Sequence, residues 1–141
     1  MIYTIWILIF LGICTLTDLK DRNIYTLWYI INGALGIGIN LVLKDHSVVD
    51  LAIGAIIGMI FMMISALTKQ KIGFGDAMVI LTIGLILGGI LCFNIVIWAF
   101  LLCSVISTAG MMALKLKINT SMPFIPFLLM GCIVALVLQG V

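Results

Sequence analysis

Residues 77–114 read AMVILTIGLILGGILCFNIVIWAFLLCSVISTAGMMAL, thirty-eight positions without one charged side chain. As a helix this stretch would extend roughly 57 Å, nearly two crossings of a hydrocarbon core about 30 Å thick. It predicts two membrane helices in sequence, with a reversal at Gly88-Gly89 ahead of Asn94. The remaining charges cut the chain into further uncharged runs. Residues 1–17, 23–43, 51–68 and 118–141 each have the length of one crossing. The expectation is an all-α polytopic membrane protein with six transmembrane helices and a single membrane-embedded domain over 1–141. A β-barrel would alternate apolar and polar residues in short segments, whereas these apolar runs are continuous.

Composition agrees. The chain is 65% hydrophobic and 9% charged, against about 25% charged in an average soluble domain. So few charges could not cover a water-facing surface, and a bilayer suits the chain. The net charge of +2 comes with no basic run and gives no reason to expect nucleic acid. Cys14, Cys92, Cys103 and Cys132 stand within apolar runs and form no C-x-x-C pair, so they read as small buried hydrophobes, and no metal site is expected. The first eighteen residues carry no basic group and no small-residue cleavage site, so they read as a retained span.

Lysine and arginine set the orientation. Lys20, Arg22, Lys69, Lys71, Lys115 and Lys117 all fall after odd-numbered spans, and Lys44 alone falls on the other side. By the positive-inside bias, those basic loops are cytoplasmic and both termini lie outside. Gly54-x-x-x-Gly58 and Gly84-x-x-x-Gly88 are small-residue pairs suited to close helix approach. Trp6, Trp28 and Trp98 read as interface or packing aromatics, and the lysines are also placed to meet anionic lipid.

All five acidic residues are aspartates: Asp18, Asp21, Asp45, Asp50 and Asp76. Topology divides them. Asp45 and Asp50 flank an outer loop with His46, a scatter that reads as polar loop. Asp18 ends span one and Asp76 opens span four, so the chain returns Asp76 to the face where Asp18 lies. Asp21 neighbours Arg22 and reads as a surface pairing. Ionisable groups beside hydrocarbon are costly and often functional. Two carboxyls a few ångströms apart share a proton, so one can activate water while the other hydrogen-bonds a carbonyl. Carboxylates in membranes also serve proton relays and ion sites, so a small transporter is the competing reading, and a membrane scaffold a third. Gly73-Phe74-Gly75 precedes Asp76. Those glycines give either a turn before a capped helix or clearance for a substrate strand.

Three stretches together resemble the type IV prepilin leader peptidases. Gly73-Phe74-Gly75-Asp76 looks like their G-x-G-D signature. Asp18-Leu19-Lys20-Asp21-Arg22-Asn23-Ile24 is similar to their first catalytic segment, in which Ile-Pro follows the aspartate at six residues. Pro123-Phe124-Ile125-Pro126-Phe127 resembles a Pro-Phe-x-Pro-Phe element near their C-terminus. The resemblance implies an aspartyl protease of the inner (cytoplasmic) membrane, acting at its cytoplasmic face on prepilin-like proteins. Asp18 and Asp76 would be its catalytic pair, with Gly73, Phe74, Gly75, Pro123 and Pro126 as active-site backbone. It implies no cofactor. Tyr25 replaces the usual Pro, and Met78 stands where many members carry Lys. The cysteine-rich domain of the longer, methylating members has no counterpart here, so cleavage without methyl transfer is expected.

Overall fold

A computed structural model describes residues 2–21, 26–43, 47–68, 73–114 and 124–140. Among them are six helices: α1 (Ile2–Asp21), α2 (Thr26–Leu43), α3 (Val48–Leu67), α4 (Phe74–Leu87), α5 (Gly89–Leu114) and α6 (Ile125–Gln139), and no strand. Helices α1, α3 and α5 contain segments long and apolar enough to cross a membrane, and α4 and α6 are shorter apolar helices. Pro123, Ile24, Tyr25, Asp45, His46 and the basic residues Arg22, Lys44, Lys69, Lys71, Lys115 and Lys117 lie outside the described residues.

Apolar periodicity explains the arrangement. On α1, Tyr3, Ile7, Phe10, Leu11 and Cys14 are buried, three or four residues apart, while Ile5, Ile9, Ile13 and Leu16 face outward. That is one inward stripe on a 3.6-residue helix, with a lipid-suited back. By contrast α4 is apolar on every side, and Ala77, Val79, Ile80, Ile83, Ile86 and Leu87 are all buried. A helix hydrophobic all round belongs in the centre. It is packed by α1, α2, α3 and α5, and α6 closes the bundle against α5 and α1. The backbones of α1 and α2 hardly meet. Their side chains bridge the gap, with Trp6 Nε1 donating to Asn32 Oδ1 at 3.2 Å and Phe10 edge-on to Tyr29 at 6.4 Å.

The α3–α4 contact depends on missing side chains. A Cβ at Gly54 would overlap the backbone of Gly84, a Cβ at Gly84 would overlap Gly54, and one at Gly58 would strike Leu81. Gly88 does something else: it turns the chain between α4 and α5 with φ of 80°, a left-handed conformation that favours glycine. So sharp a turn leaves carbonyls at the end of α4 and amides at the start of α5 without helical partners. Buried Asn40 of α2 donates to the carbonyls of Leu85 (3.3 Å) and Ile86 (3.0 Å). Asp50 of α3 accepts from the amides of Gly89 (3.0 Å) and Ile90 (3.3 Å). Asp50 thus belongs to the first turn of α3, where Ser47 is the N-cap and accepts from the Asp50 amide. The loop expected at position 50 is corrected to a helix-capping site.

Candidate active site

The stripe that buries α1 continues one turn past Cys14 to Asp18, so its carboxylate turns inward, partly buried, near the end of the helix. Across from it, α4 begins at Phe74 with Gly73 as its N-cap and Asp76 in the first turn. The Gly73 amide donates back to the Asp76 carboxylate, as an acidic third residue does in a capping box. Capping and exposure to the site are therefore compatible roles for this one side chain. Gly73 has φ of −56°, a conformation open to any residue. Its need for glycine is spatial, because an added Cβ would stand 2.9 Å from Asp76 Oδ2.

Asp18 and Asp76 lie within each other's electrostatic field. Asp18 is near the C-terminal end of α1, Asp76 is in the first turn of α4 at the end opposite the Gly88 turn, and α1 packs on α4. Tyr29, in the first turn of α2, is buried. Its hydroxyl lies in the field of both carboxylates and 3.6 Å from where a Cβ of Gly75 would stand. Cys14 lies in the field of Asp18 and takes a hydrogen bond from Trp28, and Cys103 of α5 lies in that of Asp76. Nothing in the sequence marked Tyr29, because its role depends on a helix pairing that periodicity does not reveal.

The other residues expected at the site divide. Phe74 is exposed beside Asp76. Met78 is nearly buried, and with Tyr29, Gly33 and Thr82 it lines a cleft of about 290 Å³ between α2 and α4. Pro126 stands in the first turn of α6, where its missing amide breaks no helical bond. That entry is fixed by Phe124 on Phe100 at 5.0 Å, and Phe100 in turn stacks on Phe61 at 5.9 Å. No group of three or more potential metal ligands occurs among the described residues.

No curated protein and no solved structure matches the chain. Residues 5–109 match the type IV leader peptidase family, a span that runs from most of α1 through most of α5 and includes Asp18 and Asp76. An all-helical apolar bundle of this length with that match over most of its residues belongs to the type IV leader peptidase family.

Proposed function

We propose that this protein is an intramembrane aspartyl endopeptidase that removes the short leader of type IV prepilin-like proteins. Asp18 and Asp76 form its catalytic pair. It crosses the inner membrane six times with both termini outside, and the pair works at the cytoplasmic face. The single observation that supports this reading is that two aspartates on separate helices lie within each other's electrostatic field, in a chain of the type IV leader peptidase family. Orientation rests on the basic residues that cluster at the same end of the sequence-predicted topology.

In the proposed reaction the two carboxyls come together over one water, share one proton and titrate as a unit. The ionised member takes a proton from water as the water oxygen adds to the scissile carbonyl carbon. The carbonyl electrons move onto oxygen, which receives a proton from the other carboxyl. Collapse of this tetrahedral intermediate breaks the C–N bond: the amine leaves with the proton taken from water, one hydroxyl returns its proton to the second carboxylate, and the acid product leaves the pair holding one proton as before. The chemistry needs no cofactor, and the chain is proposed to cleave without methyl transfer. Gly73, Phe74 and Gly75, with Pro126 and Pro123, are proposed to border the substrate strand.

Reconstitution with a prepilin-like substrate tests the assignment. Wild type removes the leader, and either Asp18→Asn or Asp76→Asn abolishes removal. Leader loss retained in both variants rejects the pair. Proton flux across the vesicle without cleavage would favour the transporter reading instead.

A further inference from the structure

We infer that the Tyr29 hydroxyl is a third working group of this site, donating a hydrogen bond to the scissile carbonyl oxygen as it becomes tetrahedral. The inference rests on the peptidase reading above. Tyr29 is only 4% exposed, and its ring is held edge-on by Phe10 of α1. Its hydroxyl lies on the Gly75 side, where the proposed substrate strand runs. The hydroxyl bounds the space over Gly75 at ordinary contact distance, and both carboxylates are within its field. Tyr29 also borders the cleft between α2 and α4.

The chemistry calls for such a donor. A neutral phenol has an O–H to give at any pH where a carboxyl pair shares its proton. The carbonyl oxygen gains negative charge only as water adds. One protonated carboxyl supplies one donor, and a second fixed donor in a dry site stabilises the charge without reorganising. An interaction made only in the transition state raises kcat and leaves ground-state binding alone.

The experiment is steady-state cleavage of a prepilin-like substrate in proteoliposomes by wild type, Tyr29→Phe, Asp18→Asn and Asp76→Asn. Tyr29→Phe keeps the ring and its packing on Phe10. We expect kcat to fall on the order of 10²-fold, with KM within about twofold and the thermal midpoint unchanged. As a second measurement, 3-fluorotyrosine placed at position 29 keeps the fold and the hydroxyl while making it a stronger donor, and kcat stays at or above the wild-type value. A kcat for Tyr29→Phe within about twofold of wild type overturns the role. So does a loss seen wholly in KM. Both aspartate variants inactive with Tyr29→Phe fully active would remove Tyr29 alone, whereas active aspartate variants would remove the underlying peptidase assignment.

Discussion

Asn40 on α2 reaches the carbonyl oxygens of both Leu85 and Ile86 on α4, ending the central helix with a side-chain amide. It also donates to the Gly36 carbonyl one turn back on its own helix. Replacing it by Leu keeps the volume and strands two buried carbonyls away from water. Such groups cost about 1–3 kcal/mol each when left unpaired. Asn40→Leu is expected to lower stability by at least that amount in detergent unfolding, with cleavage per folded molecule retained.

The α3–α4 crossing makes a sharper demand. Gly54→Val or Gly84→Val forces a side chain into the facing backbone, and overpacking of this kind costs typically about 1–3 kcal/mol. Gly12 on α1 has open space around it. Gly12→Ala serves as the control and should be neutral or stabilise by up to about 1 kcal/mol, from helix propensity alone. Equal loss at positions 12 and 54 would count against the packing account.

Asp50 belongs to the end of the bundle remote from Asp18 and Asp76. Asp50→Ala removes the acceptor for the Gly89 and Ile90 amides. A lost N-terminal cap costs about 0.5–2 kcal/mol. The expected result is a lower unfolding midpoint and an unaltered kcat. A kcat that collapses in fully folded protein would mean that the Gly88 turn communicates with the site.

The two glycines of the signature should separate kinetically. At Gly73 an added methyl would crowd Asp76 Oδ2, while at Gly75 it would meet the Tyr29 hydroxyl at 3.6 Å without overlap. Gly73→Ala therefore displaces the carboxylate proposed to react, and misplacement of about 1 Å is worth about 10²-fold in rate. Its kcat should fall by roughly 10- to 100-fold. Gly75→Ala leaves Asp76 in place and narrows the strand path, so KM should rise while most of kcat survives. The reverse pattern would contradict the proposed line of the substrate.

Much of this was legible from spacing. Counting back from Asp18 in steps of three and four gives Cys14, Leu11 or Phe10, Ile7 and Tyr3, the buried face of α1. The reversal near Gly88 was also legible, because an uncharged run too long for one crossing needs a residue able to turn. Helix ends were less so. Span three was expected from 51 and begins at Val48, and span four was expected from 77 and begins at Phe74. Taking charge as the end of a span excludes the acidic first turns that helix N-termini favour. Asp50 and Asp76 are both such residues. Tyr29 and Asn40 were not legible at all. Each is one polar residue in an apolar helix until its neighbour is known, and the neighbour is α4, far away in sequence.

Fourteen residues make α4 about 21 Å long, some 9 Å short of a typical hydrocarbon thickness. Cys103, which shares the field of Asp76, is eleven residues from the end of α5 at Leu114. Helix α5 thus runs on for about three turns past the residue that shares the field of Asp76, beyond where the short central rod begins. On the peptidase reading, the molecule of H₂O that the greasy phase would refuse would have to reach the acids beside this shortened helix, within the hydrocarbon thickness. Scission there, on the same reading, would draw the peptide in as an unwound thread, because a coiled segment would present its bonds hidden behind its own side chains.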